Sequence, residues 1–240
     1  MELLLATCIF LAAVLYTSVG HAGATAYLAL MALFSVPAAT MRPTALVLNV
    51  LVSTFASFRY IRAGMFRWRT AWPFLIGAAP FAFIGGAIQL PGDLYKPVLG
   101  VVLWLGAIRL LWPQKAAKRE LHDPPPIAGI AAGAGIGLIS GLTGTGGGIF
   151  LSPLLLLMGW SDARTTSGVA AVFILAASTS GLLGNFSAVG SLPDSLPLFA
   201  ASALTGAFVG TTLGTKFHVS GILRALSIVL IVSGAKLMFV

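Results

Sequence analysis

Gly141-Leu-Thr-Gly-Thr-Gly-Gly-Gly148 interrupts an apolar run that otherwise extends from Ile127 to Trp160. A straight helix of that length would reach about 51 Å at ~1.5 Å per residue, whereas the hydrocarbon core of a bilayer is ~30 Å thick. The run must therefore break, and the glycines mark the place. Gly144, Gly146, Gly147 and Gly148 each weaken a helix by roughly 1 kcal/mol relative to alanine, and each admits positive φ. Backbone released from a helix inside a membrane is tolerated only where protein or a polar cavity surrounds it. The stretch thus reads as the mouth of a binding site. The competing reading is close helix packing, which asks for a small residue at every fourth position, not a cluster with two threonines.

Working outward, the 240-residue chain is 58% hydrophobic and 8% charged, which excludes a soluble domain. It predicts an all-α integral membrane protein, multi-pass in a cell membrane such as a bacterial inner membrane, with the lipid bilayer as its surroundings. The net charge of +8 does not point to nucleic acid, because the basic residues lie singly or in short clusters between apolar spans. That is the positive-inside pattern. Cys8, the single cysteine, excludes an internal disulfide and a cysteine-built metal site. Glu2 stands where a signal peptide would be positive, and the apolar run continues past His21-Ala-Gly-Ala24. The first residues therefore read as part of the mature protein.

Residues 3–34 form a second overlong apolar run, broken at Ser18-Val-Gly-His-Ala-Gly-Ala-Thr25. A short loop with Pro37, Arg42 and Pro43 follows, then a short span from Thr44 to Phe58. Spans at Ala71–Leu90 and Leu94–Trp112 complete a first repeat, residues 1–112. Residues 113–126, with Lys115, Lys118, Arg119, Glu120, His122, Asp123 and three prolines, read as a polar linker. Residues 127–240 form a second repeat: the broken run, then spans near 166–187, 196–214 and 221–240. Gly23 falls on Gly146, Arg42 on Arg164, Gly64 on Gly190, Gly85 on Gly210 and Arg109 on Lys236. Equivalent interrupted helices in two halves point to a transporter site at the repeat interface. Arg59, Arg62, Arg67 and Arg69 place their loop in the cytoplasm, and two further crossings return the chain there at the linker. If the broken run crosses once, Lys216 and Arg224 lie outside; if it is a re-entrant hairpin, they lie inside, as the charge rule prefers. The hairpin makes the repeats inverted.

The chemistry is read partly by exclusion. A P-loop needs Lys and a hydroxyl after its last glycine, but Ile149 follows Gly148. No HExxH or Cys/His cluster suggests zinc, and no motif calls for a cofactor. A serine-protease reading through Ser140 and His218 has no supporting sequence context, so no enzyme is expected. Glu2, Asp93, Glu120, Asp123, Asp162 and Asp194 all lie in or beside loops. No carboxylate is then available mid-span for a cation or a proton relay. The breaks offer hydroxyls, backbone N–H groups and helix starts, each start carrying about half a positive charge. Two starts meeting near the midplane would hold an anion. The candidate site is Ser18, Gly20, His21, Gly23 and Thr25 from the first break and Thr143, Gly144, Thr145, Gly146 and Gly147 from the second. His21 reads either as a hydrogen-bonded structural residue or as a proton-sensitive ligand. Arg42 and Arg164 read either as interfacial anchors, with Asp162 a partner for Arg164, or as vestibule cations that concentrate an anion. Asn49 and Asn185 suit interhelical hydrogen bonds, with a ligand role the weaker reading.

The segment Gly141-Leu-Thr-Gly-Thr-Gly-Gly-Gly-Ile-Phe-Leu-Ser-Pro153, followed by Thr165-Thr-Ser-Gly168, resembles the TauE/SafE sulfite exporter family, also called the anion permease family DUF81. Tyr16-Thr-Ser-Val-Gly-His-Ala-Gly-Ala-Thr25 with Arg42-Pro-Thr-Ala-Leu46 is similar to one subgroup of it. The resemblance spans essentially the whole chain. It implies outward transport of sulfite or a small organosulfonate. His21, Ala22 and Ala24 depart from the glycines of the second break, so the two breaks are not expected to meet substrate alike. The expectation is a secondary carrier for a small inorganic or organic anion, working by alternating access between the broken helices. The rival is an anion channel with Leu142–Gly146 as a backbone-lined filter.

Overall fold

The computed structural model describes residues 1–18, 20–111, 121–214 and 220–239. Residues 113–120 of the expected linker, with Lys216 and His218, lie outside the described residues. The described residues form ten α-helices: α1 Glu2–Thr17, α2 Ala24–Leu33, α3 Ala38–Arg62, α4 Trp68–Ala87, α5 Gly92–Leu111, α6 Pro126–Thr143, α7 Gly148–Leu157, α8 Ala163–Gly184, α9 Leu196–Gly214 and α10 Ser220–Phe239. There is no strand among the described residues. Among the described residues, five helices (α3, α4, α6, α8 and α9) are long and apolar enough to cross a membrane. Leu, Ile and Phe side chains such as Phe83, Leu105, Ile127 and Leu183 are exposed on the outside of the bundle, as lipid contact requires.

The second span is longer than its apolar residues suggest. The helix starts at Ala38 and runs through both Arg42 and Pro43, so the loop expected there is confined to 34–37. Proline lacks the N–H that would bond to the carbonyl one turn back, which here belongs to Ala39. Ser191 Oγ lies 3.1 Å from that carbonyl and shares its one hydrogen between it and the nearer Ala188 O at 2.7 Å.

Helices α1–α5 and α6–α10 pack by one scheme that maps onto itself when the two sets are exchanged. The fourth helix of each set packs on the first helix of the other, α4 on α6 and α9 on α1. Meanwhile α3 packs on α8 and α5 on α10. Glycines make these contacts close. A side-chain carbon on Gly137 would stand 2.6 Å from the Ala78 carbonyl oxygen, and one on Gly133 or Gly141 would collide with the carbonyls of Phe74 or Ala82. Packing thus explains the stripe Gly133, Gly137, Gly141 along α6. It does not explain Gly144, Gly146 and Gly147, whose φ angles are +84°, +77° and +74°. Those three are the break.

Helix directions follow from the same contacts. Gly168, early in α8, abuts Met65 just beyond the end of α3, while Asn49 meets Ser178 and Leu46 meets Gly181. The two helices therefore run antiparallel. Arg67 pairs with Asp123 at 3.2 Å, so the arginine loop and the end of the linker share one side of the bundle. His122 N–H donates to Gly159 O at 3.2 Å, which brings the residues before α6 and after α7 to that side together.

The coordinates also correct the sequence register between the halves. Gly23 and Gly147 are the residues that cap α2 and α7, both left-handed, so Gly23 corresponds to Gly147 and not to Gly146. Gly20, at φ +83°, abuts the Ser167 backbone, and Gly144, at φ +84°, abuts that of Arg42. Arg42 is the fifth residue of α3 and Ser167 the fifth of α8. Arg42 therefore corresponds to Ser167, not to Arg164.

Candidate functional site

Both breaks open on one small hollow. Its lining is Tyr16 and His21–Thr25 from the first break, Thr145, Gly148 and Ile149 from the second, with Asn49 of α3 and Ile174 of α8. The space admits roughly one water molecule. The first residues of α2 and α7 are both in this wall. Neither helix has a side-chain cap, so their leading N–H groups, which have no carbonyl one turn back, carry the positive ends of two helix dipoles to the same place. The lining contains no carboxylate, lysine or arginine.

The helix ends that enter the two breaks are each met by a tyrosine. Tyr60 O–H donates to Thr17 O, the last residue of α1. Tyr95 O–H donates to Thr143 O, the last residue of α6, at 3.0 Å. Each break thus keeps its electropositive start open and has its carbonyl end hydrogen-bonded by a tyrosine.

Side chains complete the wall. Thr25 Oγ1 donates to Tyr16 Oη at 3.1 Å, which leaves the Tyr16 O–H to donate elsewhere. Tyr27, fully buried beneath the first break, donates to Ala22 O at 2.7 Å. Thr143 gives its proton to Ile139 O at 2.7 Å, so in its 3.0 Å contact with Thr145 the Thr145 hydroxyl is the donor. His21 spans the hollow: Nε2 lies 3.0 Å from Gly148 O and 3.1 Å from Ser152 Oγ. A carbonyl only accepts, so Nε2 carries the hydrogen.

Of the residues singled out in the sequence, the structure brings His21, Gly23, Thr25, Thr145 and Asn49 to the hollow. Gly146 and Gly147 stand directly behind Gly148, and Gly20 and Gly144 form the turns. Ser18 is turned away, its hydroxyl donating to Leu15 O at 2.6 Å. The two arginines are elsewhere. Arg42, 5% exposed, donates to the carbonyls of Gly85, Gly86 and Ile88 at the end of α4. Arg164 is exposed in the first turn of α8, and Asp162 accepts from Thr165 N–H at 2.7 Å as the N-cap of that helix. Sequence reasoning passed over Tyr16 and Ser152 as site residues. Tyr16 precedes the first break by one turn, and Ser152 follows Gly148 by one turn, which is the signal that would have found them.

The family model for the sulfite exporter TauE/SafE matches residues 5–237. The chain belongs to that family. It is also 36% identical over 242 residues to the "Probable membrane transporter protein y4hK" of Sinorhizobium fredii (strain NBRC 101917 / NGR234), covering 98% of this chain and 97% of the relative. No solved structure matches. The protein is a multi-pass membrane transporter of the TauE/SafE type.

Proposed function

We propose that this transporter carries a small oxyanion, sulfite or an organosulfonate, outward through the hollow between the two breaks. The observation that carries this reading is the convergence of two uncapped helix starts on a wall without carboxylates. Backbone N–H groups at α2 and α7 and the Tyr16 hydroxyl are the donors; an oxyanion is the acceptor they lack. His21 holds the two breaks together across the site. A bare cation would meet the wrong dipole ends.

The halves 1–112 and 127–240 are the moving parts, as inverted repeats that rock about this site. Antiparallel α3 and α8 support that inversion, and the contact of His122 with Gly159 supports a re-entrant hairpin for α6 and α7. Room for only about one water suits a carrier closed around its empty site better than an open channel. A membrane potential negative inside favours exit of a monovalent anion by about 2.3 kcal/mol per 100 mV.

The test is efflux of radiolabelled sulfite from proteoliposomes at fixed potential, with and without a pH gradient. Saturable efflux that accelerates with inside-negative potential is expected. Flux indifferent to potential argues against simple electrogenic exit, and absence of flux for sulfite and sulfonates alike rejects the substrate class.

A further inference from the structure

Asn49 lies in the body of α3 with its side chain wholly buried, at 0% exposure, and it lines the hollow. Nδ2 donates to Ser178 Oγ of α8 at 3.2 Å, while Oδ1 is buried with no hydrogen-bond partner. A polar atom taken out of water is ordinarily given a partner by the fold. Here the amide is instead held at one edge and left open at the other, in the wall of the site. The second break makes room for it: a side-chain carbon on Gly146 would collide with Asn49 Nδ2 and press on Ile174 at 3.0 Å and Ser178 Oγ at 3.3 Å.

We propose that Asn49 is a ligand of the transported oxyanion and that Ser178 positions its amide. This rests on the oxyanion reading above and adds to it a side chain from a helix outside both breaks. The nitrogen and oxygen of a carboxamide occupy nearly equivalent positions. A half-turn lets the Ser178 hydroxyl donate to Oδ1 and turns Nδ2 with its N–H groups toward the hollow. As it stands the amide holds an unpartnered acceptor; turned toward an anion it becomes one more donor. A neutral donor also fits the task of a carrier, which must bind its cargo and then release it. Arg42, the full charge two turns earlier on the same helix, is engaged with the end of α4.

The experiment measures sulfite efflux from proteoliposomes as a function of sulfite concentration, together with the sulfite-dependent rise in Tm of the detergent-purified protein. Variants are N49S, N49D and S178A. Loss of one hydrogen bond to a charged ligand corresponds to about a ten- to hundredfold rise in KM, which is expected for N49S with kcat changed by less than about threefold. N49D, nearly isosteric but anionic, should lose saturable flux. S178A should raise KM by a few fold, and the Tm rise with sulfite should vanish in N49S while the Tm without sulfite stays near that of the wild type. An N49S or S178A protein with wild-type KM and wild-type Tm rise overturns the proposal and leaves Asn49 as an interhelical link. A wild type that moves neither sulfite, methanesulfonate nor sulfoacetate overturns the oxyanion reading itself, and Asn49 as its ligand with it.

Discussion

At the first break the hollow is lined by Tyr16, His21 and Thr25, which bring two hydroxyls and an imidazole, whereas at the second it is lined by Thr145, Gly148 and Ile149, with one hydroxyl among them. The two share a skeleton: a helix ending in threonine, a left-handed glycine turn, and a ten-residue helix with a left-handed glycine before it. The difference lies in what fills the skeleton. Backbone donors are fixed in number and place, so on the proposed oxyanion reading the second break would suit an anion of any kind. Hydroxyls and an imidazole differ in reach and in protonation, so on the proposed oxyanion reading the first break is where one anion would be told from another. In the register that the helix caps set, His21 and Ala22 stand against Thr145 and Gly146 rather than against glycines alone, and on that reading the asymmetry is a division of labour within one wall.

The largest expected effect breaks the second half of that comparison. In Gly146→Ala the new side chain meets Asn49 Nδ2 and a backbone at φ +77°, so the break cannot keep its shape. Displacing a site by about an ångström costs on the order of a hundredfold in rate, and sulfite flux at or below that level is expected. Gly64→Ala is the control. Gly64 is also left-handed, at φ +68°, but an added carbon there meets nothing within 4 Å, so it carries the backbone strain alone. Flux in Gly64→Ala should stay within about threefold of wild type, since strain of ~1–2 kcal/mol acts far from the hollow. Equal losses in both variants, measured at equal membrane levels, would remove the special role of the second break.

How much of this was legible in the sequence differs between the two kinds of glycine. The break was readable because Gly144, Gly146 and Gly147 cluster, and clustering has no use in helix packing. The stripe at Gly133, Gly137 and Gly141 was readable by its spacing, but the sequence does not show which helix it faces, since contact with α4 is a tertiary fact. Register between the halves was less accessible. Gly23 can be laid on Gly146 or on Gly147 with equal identity, and only the φ angles at the N-caps decide for Gly147. That one-residue slip, followed by a misplaced gap, set Arg42 opposite Arg164. The role of Arg42 was hidden for another reason: its partners are backbone carbonyls of Gly85, Gly86 and Ile88, and carbonyls leave no mark in a sequence. The hollow itself was foreseen from the breaks, whereas Tyr60 and Tyr95, which cap them, come from distant helices and carry no local signal.

The next expected effect is on stability, at Arg42. The last carbonyls of a helix have no N–H of their own, and at the end of α4 the guanidinium serves Gly85, Gly86 and Ile88 together. Arg42→Gln removes the charge and leaves some of these acceptors stranded in a buried place. Charge-assisted bonds contribute about 1.5–3 kcal/mol each, and a stranded buried group costs about 1–3 kcal/mol. A loss of roughly 3 kcal/mol is therefore expected, visible as a lowered Tm in detergent and a reduced yield from membranes. If the arginine were a vestibule cation, Arg42→Gln would instead keep its Tm and lower the flux, and the salt sensitivity of the wild-type flux would go with the charge, because screening acts on exposed charges.

The smallest effect is expected at Arg164, and it sharpens the same contrast. Arg164 is the second residue of α8, exposed to solvent, where a positive charge faces the positive end of its own helix dipole. The helix start is already served by Asp162, which accepts from Thr165 N–H. Replacing the arginine with glutamine removes a mild repulsion and no hydrogen bond on which the fold relies. The expected change in stability is within about 0.5 kcal/mol, toward greater stability if any, with sulfite flux unchanged. Two arginines that a sequence alignment of the halves sets side by side should thus differ by several fold in what their loss does to Tm. An Arg164→Gln protein that fell as far as Arg42→Gln would show that both act as caps, and would restore the pairing that the helix starts reject.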